Sequence, residues 1–235
     1  MTRAQRHYLP GLIWHITHRC HKREFLLKLS RDKRAWYRWI LAARRLYGLC
    51  VLNFVITSNH IHLLVIDREE GEDGARRMIS KSLQLAEARV AQEYNNRKGR
   101  SGAFWEDRYH ATAIETGDHL INCLTYIDLN MVRAKVVNHP GDWPFGGYHE
   151  LQQPRQRFRN QIVDWRALAS LFGMSDLKRL RDARREWVEG KCGSLALERD
   201  PKWTESIAVG GKDYVEGIVE RLGGRAKGKN DGHLE

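Results

Sequence analysis

The chain has 235 residues and a mass of 27.4 kDa, enough for one large domain or a domain with an appendage. Its 40 Lys and Arg against 29 Asp and Glu leave a net charge of +11 and a pI near 9.7, which points to a polyanionic partner. No apolar run approaches the ~18 residues of a membrane span, the opening MTRAQRHYLP lacks the apolar core of a secretory signal, and Cys20, Cys50, Cys123 and Cys192 form no CxxC pair. These features exclude a spanning helix and suggest neither a disulfide framework nor a Cys-rich zinc site, so a reduced, cytoplasmic protein is expected.

The charge is concentrated at one end. Residues 1–47 hold twelve Lys or Arg and two acids, a net +10. Trp14, Trp36, Tyr37, Trp39 and Tyr47 lie among those cations. Aromatic faces beside cations suit unstacked bases, although some of these rings must be core, and a solvated helix face with a basic arm would carry the same charge.

Residues 11–19, GLIWHITHR, alternate as a half-buried strand would, with Leu12, Trp14 and Ile16 on one face and His15, Thr17 and Arg19 on the other. Ser30 opens a helix through Tyr47 in which Trp36, Ile40, Ala43 and Tyr47 recur at helical spacing, with Gly48 as its stop. Residues 49–57 and 60–67 are β-rich runs around Ser58 and Asn59, a pair suited to a tight hairpin. After the charged loop REEGEDG, residues 74–98 read as a long amphipathic helix and residues 109–115 as a short fourth strand. Thr116 or Asp118 is the expected cap of a helix running to about residue 135.

Strand, helix, strand, strand, helix, strand is the ferredoxin-like split βαβ order, an α+β fold with an antiparallel sheet. The expected organisation is a catalytic domain over 1–150, a helical C-terminal extension over 151–223 with helices near 164–172, 175–189 and 213–222, and a disordered tail over 224–235. In the run RQRFR at 155–159 a linker is favoured over a DNA-contacting arm.

Chemistry-bearing residues stand in two of these elements. His60 and His62 are two apart in a β-type run, so both imidazoles share one face and Ile61 the opposite one. Neutral imidazoles ligate transition metals, yet two leave a divalent ion short of partners, and ordinary strand histidines fit the same pattern. In TYIDLNMVRAKVV, Leu120, Leu124, Ile127 and Met131 form an apolar stripe, with Asn122, Tyr126, Asn130 and Arg133 opposite. Tyr126 and Asn130, four apart, reach one small volume, although a surface Tyr on an amphipathic helix is common. His15, His18, Cys20 and His21 match no standard zinc spacing and read as polar strand-end residues. Arg19, Lys22 and Arg23 read as phosphate contacts; Trp105 and Arg108 either join them or pack, and Trp143 reads as core.

Five stretches together resemble the REP-associated tyrosine transposases, single-tyrosine members of the HUH (histidine, hydrophobic, histidine) nuclease superfamily. They are GLIWHITHRCHKREFLL at Gly11, NFVITSNHIHLLV at Asn53, GAFWEDRYHATAI at Gly102, YIDLNMVRA at Tyr126 and PGDWPFGGY at Pro140. They follow the family's order over most of residues 8–150, and WTESIAVGGKDYVEGIVERL resembles the end of longer members. The chain departs from the common pattern at Thr57 and Ser58, where a Met and a Pro or Asp are usual, at Met131, where Pro is usual, and at Gly146 and Gly147, where two serines are usual.

The resemblance implies His60, His62 and Asn130 as ligands of a divalent metal ion, Mg2+ or Mn2+, and Tyr126 as the nucleophile. Arg19, Lys22, Arg23, Trp105 and Arg108 are the expected DNA-binding residues. The implied reaction is cleavage and rejoining of single-stranded DNA near hairpins through a 5′-phosphotyrosine link, by a monomer whose site is completed in cis. A domesticated hairpin-binding protein without strand transfer and a hydrolytic metal nuclease are the alternatives.

Overall fold

In the computed structural model the described residues are 9–67, 75–153, 160–192, 198 and 200–222. Five strands, β1 (Ile13–Arg19), β2 (Cys50–Ile56), β3 (His60–Ile66), β4 (His110–Ile114) and β5 (Ala208–Val209), form one sheet in the order β2-β3-β1-β4-β5. β1 is antiparallel to β3 and β4, β2 is antiparallel to β3, and β5 is parallel to β4. With α1 (Ser30–Tyr47) and α2 (Ala75–Lys98) in the two crossovers, the first four strands make the split βαβ arrangement of an α+β fold.

Local chemistry accounts for most boundaries. α1 buries Trp36, Ile40 and Ala43 and ends where Gly48 takes a left-handed conformation (φ 72°), its N–H bonded to the Arg44 carbonyl. Ser58 and Asn59 form the two-residue turn between β2 and β3, closed by Thr57 N–H to the His60 carbonyl at 2.9 Å. A helix cap at Thr116 or Asp118 is not what forms. Gly117 (φ 70°) is the cap of α3 (Asp118–Asp128), while Asp118 sits in the first turn, where its charge suits the helix dipole. The helix also does not run on to residue 135: it breaks at Leu129, and α4 (Asn130–Arg133) follows.

β1 was expected to be half-buried, and it is covered on both faces. Trp14 and Ile16 are buried on the side of α1 and α2, and His15 is equally buried on the side of α3. Trp14 and Trp36 are therefore core rings. Tyr37 and Trp39 are half-buried and bonded to Glu150 and Glu93, which leaves Tyr47 as the exposed aromatic of the five.

From Gly147 onward the described residues form α5 (Gly147–Gln152), α6 (Trp165–Ser170), α7 (Leu177–Glu189), α8 (Lys202–Glu205) and α9 (Lys212–Leu222). Asp164 caps α6 and Asp176 caps α7 through side-chain bonds to Ala167 and Arg179 N–H. This region is not purely helical, since β5 adds a strand to the sheet. Leu168, Leu180, Trp203, Ile207 and Val215 join the hydrophobic cluster that the sheet builds. REEGEDG at 68–74, RQRFR at 155–159 and the tail at 224–235 lie outside the described residues. Among the described residues no helix is long and apolar enough to cross a membrane.

One buried polar cluster ties these layers together. Asp128 accepts from Asn53 Nδ2 (2.8 Å, β2) and from Arg184 Nη2 (2.5 Å, α7), with Asp128 and Arg184 both about 1% exposed. Asn53 Nδ2 also reaches the Leu124 carbonyl at 3.3 Å. Gly147 is compulsory beside it: a Cβ there would meet Asn53 Oδ1 at 2.2 Å. Removing one member of a buried ion pair strands the other charge, a loss of ~3 kcal/mol or more. Arg184→Ala is expected to lower the urea midpoint by that amount of stability with an unchanged m value, and Asp128→Asn combined with Arg184→Met is expected to recover most of it. Equal stability of Arg184→Ala and the parent protein would show that the pair anchors nothing.

Candidate active site

The sheet register brings the site together. His15 pairs with Leu64, Thr17 with His62 and Arg19 with His60 across β1 and β3, so these side chains share a face. Ile61 turns to the opposite face and is fully buried. α3 crosses the histidine face, and Tyr126 near its end and Asn130 just past the break at Leu129 both lie there. The Asn130 amide nitrogen lies 3.1 Å from His62 Nε2, and the Tyr126 ring stands edge-on to His62 and His15 at centroid distances of 6.0 and 6.2 Å. The His60 and His62 rings are 5.0 Å apart. An open cavity of about 510 Å3 is lined by His60, His62, Tyr126 and Asn130, together with Arg19 and Arg108.

Hydrogen bonds fix the rings. His62 Nδ1 lies 2.9 Å from His15 Nε2, with the two rings stacked at 5.1 Å. An amide NH2 cannot accept, so in this arrangement His62 Nε2 carries the lone pair and Nδ1–H donates to His15. Burial, and then the neighbouring His60, His15, Arg133 and Arg19, hold the His62 pKa well below the ordinary imidazole range. Burial lowers His15 to about 3, partly offset by the Trp203 backbone. Both imidazoles are thus neutral at physiological pH, the state a metal ligand needs.

Arg133 reaches back over the helix break. Its Nη2 donates to the Tyr126 carbonyl at 2.7 Å, and its guanidinium carbon sits 3.9 Å from the Tyr126 ring centroid. Trp203 of α8 also packs on Tyr126, with centroids 5.8 Å apart. Sequence reading placed His15 and Arg133 on the right faces without giving either a partner. Trp203 opens the stretch that resembles the end of longer family members, yet nothing local ties it to Tyr126, because only the tertiary path of the chain brings α8 to β1 and β4.

The proposed DNA contacts do not all lie in one place. Arg19 and Arg108 line the cavity. Lys22 and Arg23 are exposed on a short 3-10 turn (His21–Arg23) beside it, both with left-handed backbones. Trp105 is half-buried, stacked on His18 at 4.4 Å, and donates from Nε1 to the Glu87 carbonyl. His15 and His18 face opposite sides of the sheet, His18 bonding Glu87 and the Asp107 carbonyl, so the N-terminal His/Cys group is not a cluster. Trp143 is half-buried, with Nε1 bonded to the Ile56 carbonyl.

Among the described residues no three His, Cys, Asp or Glu side chains are grouped to hold a metal ion. A site at the paired histidines must therefore draw its third donor from another residue type. The Asn130 side chain stands there, but its amide nitrogen is the atom facing His62 Nε2 in this structure, so its oxygen would serve as a donor only with the amide turned over.

A sequence model of the IS200-like transposases matches residues 9–130. No curated protein matches the chain. Among solved structures, a REP-associated tyrosine transposase bound to a REP hairpin is 21% identical, covering 66% of this chain and 87% of its own, with a TM-score of 0.48. A putative transposase from Deinococcus radiodurans R1 is 12% identical, covering 57% and 98%, with a TM-score of 0.36. The family match runs from the residues before β1 through the paired histidines to Asn130, just over half of the sequence, and on that ground the chain belongs to the IS200-like transposases.

Proposed function

We propose that this transposase cleaves and rejoins single-stranded DNA beside hairpins, with Tyr126 as nucleophile and a divalent metal held by His60, His62 and the Asn130 amide oxygen. The observation that carries the reading is the meeting of a tyrosine ring, the paired imidazoles with His62 held neutral, and an amide in one open cavity whose walls set Arg19, Arg108 and Arg133 among Glu106, Asp107 and Glu205. It would act as a monomer, with Tyr126 and the paired histidines of one chain forming the site.

The residues divide the work. A bound divalent ion would supply Lewis-acid activation of the scissile phosphate. Arg19 and Arg108 line the cavity, where they would neutralise and orient the DNA backbone. Arg133 and Trp203, both packed on the Tyr126 ring, would limit its rotation and so hold the phenol ready for attack. In the covalent step the Tyr126 Oη–P bond forms, the P–O3′ bond breaks, and the phenol proton leaves while the departing oxygen gains one to become a 3′-hydroxyl. A 3′-hydroxyl can later attack the phosphotyrosine and restore a phosphodiester without ATP, because the bond energy is kept in the ester.

With 5′- and 3′-labelled hairpin substrates and Mn2+, a denaturation-resistant adduct is expected on the fragment with the new 5′ end. Tyr126→Phe should abolish it. Free fragments without adduct would instead indicate hydrolysis, and uncut DNA a binding protein.

Mn2+ should serve at least as well as Mg2+, since imidazole favours the softer ion. His60→Ala and His62→Ala are expected to lose cleavage while retaining most hairpin affinity. Undiminished cleavage in excess chelator would remove the metal from the reading.

Replacing Arg19, Lys22 and Arg23 together by Ala should weaken hairpins and unstructured strands alike. The slope of log affinity against log salt should flatten by about 0.7 per lost phosphate contact. An unchanged affinity and slope would place the DNA elsewhere on the protein.

A further inference from the structure

The turn between β2 and β3 links two parts of the site. Asn59 Nδ2 lies 3.2 Å from the Arg23 carbonyl, and Asn59 Oδ1 lies 2.7 Å from His60 Nδ1. A peptide carbonyl only accepts, so the amide nitrogen must be the atom facing Arg23. The amide oxygen then faces His60, and since it too only accepts, the hydrogen in that contact belongs to Nδ1. An imidazole protonated on Nδ1 carries its lone pair on Nε2. Thr57 fits the same assignment: its hydroxyl donates to the His60 carbonyl (2.8 Å) and accepts from the His60 N–H (3.0 Å), with Nδ1 at 3.0 Å.

The other end of this chain of bonds is the basic loop. Lys22 (φ 50°) and Arg23 (φ 59°) are successive left-handed residues with side chains, a backbone that needs outside support. The β2–β3 turn provides it: Cys20 N–H bonds to the Asn59 carbonyl (2.7 Å), Leu27 N–H to the Ser58 carbonyl (2.9 Å), and Asn59 Nδ2 to Arg23.

We propose that Asn59 is a positioning residue with two tasks, holding His60 in the tautomer that offers Nε2 to the metal and holding the Lys22–Arg23 turn in shape for the DNA backbone. The proposal rests on the reading of His60 as a ligand. It makes ligand geometry and strand binding depend on one side chain.

Two substitutions separate the tasks. Asn59→Asp keeps an acceptor for His60 Nδ1 and loses the donor to Arg23, whereas Asn59→Ala loses both. In metal-free, 15N-histidine-labelled full-length protein at pH 8, long-range 1H–15N correlations should show His60 protonated on Nδ1 in the parent protein and in Asn59→Asp, and shifted towards Nε2–H in Asn59→Ala. Calorimetric Mn2+ affinity should fall roughly 10–100-fold in Asn59→Ala and much less in Asn59→Asp. Metal-free single-strand affinity should fall to a similar extent in both. A parent His60 protonated on Nε2 overturns the proposal, as does an Asn59→Ala protein with unchanged tautomer and Mn2+ affinity. If Asn59→Ala does not fold, the parent and Asn59→Asp spectra still decide. Absence of Mn2+ binding in the parent protein would sink the metal site itself, and the tautomer measurement would still judge Asn59.

Discussion

The buried carboxylate of Asp128 is the constraint on which the site depends. It stands two residues after Tyr126 and two before Asn130, at the end of the helix that carries the proposed nucleophile. Burial raises its pKa, against the pull of Arg184 and Asn53. Asn53 belongs to the strand beside the paired histidines and Arg184 to the C-terminal extension. A buried charge tolerates little displacement from its partners, so the three groups fix where α3 ends relative to β3. The break at Leu129 follows immediately, and Asn130 just beyond it meets His62.

Electrostatics in the cavity have two opposed parts. Desolvation keeps His15 and His62 neutral, while Arg19, Arg108 and Arg133 place positive charge around them. A neutral His62 keeps its lone pair, and the three arginines stand in the same cavity among Glu106, Asp107 and Glu205, the surroundings that the proposed metal and phosphate would meet.

Residues beyond 150 take part in this arrangement. β5 extends the sheet beside β4, Trp203 supports the Tyr126 ring, and Arg184 completes the Asp128 cluster. Gly147, which departs from the usual serine, leaves room for the Asn53 side chain that Asp128 requires. Thr57, another departure, supplies the hydroxyl that braces the turn at His60.

Sequence by itself determined the features governed by neighbours along the chain. Ser30–Tyr47 was legible to the residue because amphipathic spacing and a terminal glycine act locally, and the β2–β3 hairpin because Ser58–Asn59 suits a two-residue turn. The shared face of His60 and His62 follows from strand alternation alone. Tertiary structure decided what depends on contacts between distant residues. β1 looked half-buried because its polar residues alternate, yet His15 is enclosed by stacking on His62, 47 residues away. The break after Asp128 has no proline or glycine to announce it and sits beside a partner, Arg184, 56 residues further on. β5 spans two residues, too few for any periodicity, and exists because β4 offers an edge at which Ala208 and Val209 can pair. A polar residue's neighbours across the sheet, and so its charge state and its partner, are set by register and packing, which no local pattern encodes.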